Sequence, residues 1–596
     1  MRILFVMLHP GFIRYYDGAL RALAVAGHDV HVAFEVTRDK LGEDVTAQRL
    51  AAASPRITCG TTPERSESVR TFLARSDRSA ARSGELFAGG SSSEAAWDSL
   101  ATTVRLMLDY LRFFEPAFEK ASALRERAGK RLPRLHRAAV RSAGRAGAGL
   151  RRRAASSLAF VERAIPVSPA IDAFIRRQDP DLLLVTPLIE LGSQQVDYVK
   201  SARHLGVPSA LCVASWDNLT SKGLIRVIPD HVIVWNEAQK REATGLQGVP
   251  EDRVLVTGAQ LFDDWFAARP HRSRDEFCRM VSLDPSRPFV LYVGSSMFIA
   301  PDEVPFAERW LSHLRAAAGD VGVLLRPHPA NARQWRAFDS ASFGNVAVWP
   351  PIGTDPNAAD FRRDYFDSLF HCAAVVGINT SAQLEAAIVG RPVFTIRAPE
   401  FAHAQEGTLH FQHLVDADAG FVAAADSLAQ HVDQLSKTLT HGFDAGAQRR
   451  FVQSFIRPRG LDVPATPAFV QAVESLARGT DTAPSREVSA ATAARPVMAG
   501  LARVARALAD DRPLWVYLLR PGISLAVWLA APVYWLRDQG TESVAGGWKR
   551  TRRLMHRVWY ESGKSWSRFF KRARKSMSRG VLQAGVTAKR AVRRER

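Results

Sequence analysis

Short continuous apolar runs alternate along this chain with stretches of helical spacing. Residues 2–7 (RILFVM) form the first run; the loop His9-Pro10-Gly11 follows, residues 16–26 carry helical spacing, and residues 30–34 (VHVAF) form a second run. The rhythm returns with apolar runs at 181–185, 209–213, 231–235 and 254–258, with helical spacing at 195–205 and 237–244 between them. A polar, Arg-rich interval at 267–288 separates this series from a second one. That series starts afresh at 289–293 (FVLYV) and continues through runs at 321–325, 346–349, 375–376 and 393–396, with a closing helix at 428–439. Unbroken apolar strands joined by helices describe parallel sheets covered on both faces. Two such series predict an α/β protein with two Rossmann-like domains facing across a cleft, at residues 1–266 and 280–460.

Two regions break the rhythm. Residues about 90–165 predict a helical, basic insertion in the first domain. Within it, 97–127 reads as a long helix interrupted at Pro116, and 127–155 is Arg- and Ala-rich, helical in pieces and broken at Pro133. The second region follows the second domain: 480–511 has linker composition, and 512–596 forms an aromatic and basic tail. In that tail, 514–536 (LWVYLLRPGISLAVWLAAPVYWL) approaches bilayer-spanning length, but Arg520, Pro521, Gly522 and Pro532 interrupt it. Its Trp and Tyr residues suit a headgroup interface.

Charge sharpens this division. The net charge is +20, and residues 549–596 alone carry 17 Lys/Arg against Glu561 and Glu595. The basic character therefore belongs mainly to the tail, and adsorption to an anionic membrane surface fits it. The Arg-rich insertion reads either as a second such surface or as a solvated face. No aromatic platform or known reader motif interleaves it, so nucleic acid is not expected as a partner. Four cysteines without metal or disulfide spacing, and a start that runs straight into a strand, predict a reducing compartment: cytoplasmic, peripheral on the inner face of the membrane.

Candidate chemistry gathers where strands end. Residues 375–394 (VVGINTSAQLEAAIVGRPVF) read as strand, turn, helix and strand. A helix opening at Thr380–Ser381 offers backbone N–H groups and two hydroxyls to a phosphate, and Glu385, one turn on, can accept from a ribose hydroxyl. The same residues also describe one more βαβ unit with a solvated Glu385. Gly294, Ser295 and Ser296 follow another strand, and their N–H groups can approach a diphosphate. Arg326 and His328 lie in the run RPHP after the next strand. Arg326 can neutralise a leaving diphosphate; His328 can donate to phosphate or simply form a rigid turn. His9 can serve as general base for an acceptor hydroxyl, or merely cap its loop. Asp217, Asn218, Gln405 and His410 are further cleft candidates in polar loops. The chain lacks G-x-G-x-x-G and an Asp-x-Asp motif in a cleft loop, so neither a dinucleotide cofactor nor a metal is expected.

The run Thr380-Ser381…Glu385…Gly390-Arg391-Pro392 resembles the nucleotide-sugar segment of GT-B glycosyltransferases, in which a Thr/Ser-rich turn meets the diphosphate and a Glu meets the ribose. Together with Arg326-Pro327-His328-Pro329 it also resembles CDP-glycerol glycerophosphotransferases. The resemblance covers residues 1–35 and 180–460. It departs from the second group at Asn379, where those enzymes carry an aspartate. The resemblance implies a metal-independent glycosyltransferase that moves a sugar from a nucleotide-sugar donor to a lipid-linked or polysaccharide acceptor. Alternatives are a polyol-phosphate transferase using a CDP-polyol, a nucleotide-sugar epimerase, and a non-catalytic membrane-bound binding protein.

Overall fold

A computed structural model describes residues 1–35, 43–63, 92–354 and 359–477. The first sheet contains β1 (Arg2–Met7), β2 (Asp29–Phe34), β3 (Ile57–Thr61), β4 (Leu182–Thr186), β5 (Ser209–Cys212), β6 (His231–Val234) and β7 (Val254–Val256). The second contains β8 (Phe289–Val293), β9 (Gly322–Arg326), β10 (Val346–Val348), β11 (Ala374–Gly377), β12 (Val393–Ile396) and β13 (Ala423–Ala425). The spatial orders are β3-β2-β1-β4-β5-β6-β7 and β10-β9-β8-β11-β12-β13. Every pairing is parallel. Both sheets thus wind outward in two directions from a central pair, β1/β4 in one and β8/β11 in the other. They are two Rossmann-like sheets, the architecture the sequence resemblance implies.

Burial on both faces explains the unbroken apolar runs. Along β1, Leu4 and Val6 enter one core layer while Ile3, Phe5 and Met7 enter the other. Along β8, Val290 and Tyr292 face one layer and Phe289, Leu291 and Val293 the opposite one. Two strands escape the apolar-run rule. β3 (ITCGT) and β13 (AAA) lie at sheet edges and are only half-buried, so they carry no continuous hydrophobic signature.

The insertion is helical, with more breaks than its prolines alone dictate. A helix at Ser92–Arg112 ends before a 3₁₀ turn at Pro116–Phe118, and a second helix follows at Ser122–Lys130. Pro133 separates that helix from Arg134–Arg145. Gly147, at φ 96°, then opens the helix Ala148–Ala164, a left-handed break that only glycine accepts readily. Its arginines are not all solvated: Arg105 reaches Glu162 and Asp197 with bonds of 2.7–3.0 Å, fully buried.

The chain also returns to the first sheet. The helix Ala465–Leu476 places Phe469, Val473 and Leu476 in the core beside Ile3, Phe5 and Met7. Asp263 fixes the crossing by accepting from Arg457 and from the backbone of Ala465 and Thr466. The linker at 480–511 and the tail at 512–596 lie outside the described residues, within which no helix is long and apolar enough to cross a membrane.

Candidate functional site

Parallel sheets collect their strand-end loops along one edge, with a crevice where the winding reverses. In the second sheet that reversal lies between β8 and β11. Gly294–Ser296 follow β8, Thr380 and Ser381 follow β11, and Arg326 ends the neighbouring β9. In the first sheet His9 follows β1, also at its point of reversal.

Arg326 is 5% exposed and lies over the rings of Tyr365 and Phe361, at 4.8 and 5.0 Å. Its Nη2 donates to the Phe361 carbonyl at 3.2 Å, while its Nη1 is buried with no protein partner. Burial lowers its pKa to about 10, which leaves it charged at neutral pH. Glu385 accepts a short hydrogen bond from the Tyr365 hydroxyl. Burial pushes the Glu385 carboxyl up to about 7, against the pull of Tyr365, Arg14 and Arg326. Arg14 belongs to the 3₁₀ turn Pro10–Tyr15 of the first half, so a cation from one half acts on a carboxyl of the other.

His328 caps the turn Pro329–Ala337: its Nδ1 accepts from the Ala330 N–H at 3.2 Å. In the neutral ring the proton therefore sits on Nε2, leaving one donor for a ligand. Burial first, and Arg14 second, push its pKa below the ordinary value. His9 occupies the N-cap position of the Pro10–Tyr15 turn in the first half; its carbonyl accepts from Phe12 N–H at 3.0 Å and its ring lies edge-on to Phe12 at 4.9 Å. The His328 ring thus has a structural duty, whereas the His9 side chain makes no capping bond.

The amides expected to meet a diphosphate are mostly spoken for. Gly294 N–H donates to the Arg326 carbonyl at 2.9 Å, and a Cβ there would lie 3.1–3.2 Å from the backbone of residues 326–328. Close approach of β8 and β9 explains the glycine. Ser295 N–H donates to both carboxyl oxygens of Glu303, at 2.9 and 3.2 Å. Glu303 is buried and also accepts from Tyr292; burial pushes it up to about 7. What Ser295 retains is its buried hydroxyl, which has no protein partner. The Ser296 carbonyl opens the next turn by accepting from Ile299 and Ala300. Thr380 N–H donates to Gln383 at 3.1 Å, and its hydroxyl accepts from Ala382 N–H at 3.4 Å. Ser381 is exposed, and its hydroxyl accepts from Trp216 Nε1 of the first half at 3.2 Å.

The remaining cleft candidates hold loops together. Asn218 Oδ1 accepts from Ser215 N–H, and Asp217 accepts from the Ser221 hydroxyl at 2.8 Å. Burial opposes the Asp217 charge, yet His410, Lys222 and the Ser215 and Ser221 hydroxyls hold its carboxyl below the usual range. His410 bridges the halves: Asn379 approaches Nε2 at 3.4 Å, Thr220 lies 3.3 Å from Nδ1, and the Trp216 ring packs edge-on at 4.8 Å. Burial drives its pKa down to about 4. Gln405 is a structural brace: its Nε2 donates to the Ile378 and Ile396 carbonyls and to the Thr395 hydroxyl, tying the ends of β11 and β12. Its Nε2 donors are fully engaged within the protein.

Arg14, Tyr365 and Glu303 join this site without having been foreseen. Tyr365 sits inside an ordinary-looking helix, Ala359–His371, and only the fold brings it to Glu385. Glu303, in the run PDEVP shortly after the small-residue loop, was the more readable of the three.

No family model and no curated protein matches the chain. Among solved structures it is similar to the Methanocaldococcus jannaschii UDP-GlcNAc 2-epimerase in complex with UDP-GlcNAc and UDP. There the identity is 11% over 80% of this chain and 100% of that one, with a TM-score of 0.42. The Neisseria meningitidis UDP-GlcNAc 2-epimerase bound to UDP-GlcNAc gives 10% identity, 80% and 100% coverage and a TM-score of 0.41. A glycosyltransferase from Rickettsia africae gives 8% identity, 80% and 99% coverage and a TM-score of 0.42. At such identities and scores, substrate and residue roles do not transfer, and the two-sheet fold rests on its own strand order.

Proposed function

We propose that this chain is a metal-independent glycosyltransferase. It takes a sugar from a nucleotide-sugar donor and passes it to a lipid-linked acceptor at the inner face of the membrane, to which residues 512–596 hold it. The observation that carries the reading is Arg326, a buried guanidinium at the crevice with an unpartnered Nη1 and no carboxylate partner among the described residues. A cation left in that state suits an anionic ligand, and a diphosphate supplies the matching charge.

Arg326 and Arg14 neutralise charge on the leaving diphosphate, and His328 Nε2–H and the Ser381 hydroxyl donate to its oxygens. Glu385 accepts from a ribose hydroxyl, its proton state set by Tyr365 and burial. His9, on the opposite half, removes the proton from the acceptor hydroxyl.

Thermal-shift titrations of the full chain with UDP, GDP, CMP and CDP test the donor site. One nucleotide should stabilise the protein, and Arg326→Gln should weaken its binding by about 1.5–3 kcal/mol, as loss of a charged hydrogen bond does. His9→Ala should spare nucleotide binding and lower turnover about 10²-fold. Nucleotide release that depends on a lipid acceptor separates transfer from epimerisation. If no nucleotide stabilises the chain, or if Arg326→Gln binds as well as the wild type, the proposal fails.

A further inference from the structure

The arginines of the insertion fall into two sets. Arg105, Arg112 and Arg151 are buried and bonded to carboxylates or carbonyls. Arg131, Arg134, Arg141, Arg145, Arg152 and Arg153 are exposed and make no ion pair with any described carboxylate. Residues 127–161 contain no Asp or Glu at all. A helical hairpin that merely faces water ordinarily interleaves both signs and gains from i,i+4 pairs. This one does neither. Arg134, Arg141 and Arg145 recur at i, i+7 and i+11, one stripe along the helix Arg134–Arg145. Two leucines stand exposed among the cations, Leu135 at 48% and Leu150 at 45%.

We propose that the hairpin formed by the helices Arg134–Arg145 and Ala148–Ala164 is a docking surface for an anionic lipid membrane, separate from the tail. Arginine heads reach lipid phosphates while Leu135 and Leu150 enter the acyl boundary. The chain's own tail is not the occupant, because 549–596 is strongly cationic itself. Nucleic acid fits less well, since the exposed face offers leucines where stacking on bases needs aromatic rings. The position also matters. Arg127, in the adjoining helix Ser122–Lys130, donates to the Ser221 carbonyl at 2.6 Å and lies 4.7 Å over the Phe298 ring. The bundle that carries the cationic face therefore touches strand-end loops of both halves. The proposal stands whether or not the protein transfers sugars.

Hydrogen exchange on the full chain tests it, with phosphatidylcholine vesicles and with vesicles containing 30% phosphatidylglycerol. Amides of residues 130–153 should gain protection with the anionic vesicles alone. The triple variant Arg134→Glu/Arg141→Glu/Arg145→Glu should lose that protection, and its vesicle partition should fall at least ~10-fold at physiological salt, at an unchanged melting temperature. The double variant Leu135→Ser/Leu150→Ser keeps the test open should the charge reversal misfold; it should also lose protection. Vesicle binding without protection at 130–153 would overturn the proposal in favour of the tail alone. Equal protection of these residues by duplex RNA would overturn it in favour of a general polyanion site.

Discussion

The two sheets wind alike but differ in how far their buried charges are paired. In the first half, the inserted helices tie most buried charges to carboxylates or carbonyls, although Arg112 Nε and Arg226 Nε and Nη1 keep no hydrogen-bond partner. Asp109 accepts from the Gly192 and Leu224 amides and pairs with Arg226, and Arg112 donates to the carbonyls of Leu219, Lys222 and Gly223. Glu162 is fully buried, yet Arg105 and Lys200 outweigh the burial penalty and hold its carboxyl below the usual range. In the second half, Arg326 has one 3.2 Å bond and no ion pair, and burial pushes Glu303 and Glu385 up to about 7. Ion-paired networks fix structure. Arg326, buried beside the second sheet's point of reversal with Nη1 unpartnered and no carboxylate bonded to it among the described residues, is the group that a ligand would complete under the proposed function.

The sharpest way to break this contrast is to open a first-half circuit. Arg105→Met leaves Glu162 and Asp197 buried, with Lys200 the nearest cation, 3.4 Å from Glu162. Uncompensating a buried pair costs about 3–5 kcal/mol. Urea melts should show that loss while the folded fraction keeps its nucleotide affinity, the inverse of Arg326→Gln. A loss under ~1 kcal/mol would mean that the first-half charges are not structural in the sense argued.

The carboxyls of the second half sharpen the contrast through pH. The folded-state value of Glu303, about 7, exceeds its ordinary value of 4.5. Across that window the native protein holds a proton that the unfolded chain has released. The contribution is complete at low pH and is lost as pH rises, amounting to about 3 kcal/mol once pH exceeds ~7. Glu303→Gln should flatten that part of the fall in melting temperature between pH 4.5 and 7. Glu162, held low, predicts the opposite slope at acid pH. A Glu303→Gln profile parallel to wild type would place the titration elsewhere.

How much of this was legible beforehand depended on range. β1, β8 and β12 follow directly from apolar runs because both faces of each strand are buried. β3 and β13 did not, because edge strands need no such run. The helix Ala382–Ile388 and its C-terminal glycine were readable from local spacing alone. The partners of its first turn were not: Gln383 and Trp216 occupy groups that had seemed open to phosphate. Arg14 lies over 300 residues from Arg326 and Glu385 in sequence, and no local pattern couples such residues. Nor could composition separate the buried arginines of the insertion from its exposed ones, since only packing against the first half decides which guanidinium meets a carboxylate.

The smallest effect addresses the seam between the halves. Ser381 Oγ accepts from Trp216 Nε1, and a hydroxyl that accepts one bond still has its own O–H to donate. If Ser381 donates to a nucleotide phosphate, Trp216 polarises that hydroxyl without competing for it, so the two residues act as a unit. Trp216→Phe and Ser381→Ala should each weaken nucleotide binding, by about 0.5–1.5 kcal/mol for one neutral hydrogen bond. The double variant should lose less than the sum, with a coupling of at least ~0.5 kcal/mol in a double-mutant cycle read by titration. Additivity would mean that the bond only pins the halves together, and that the nucleotide is held by the second half alone.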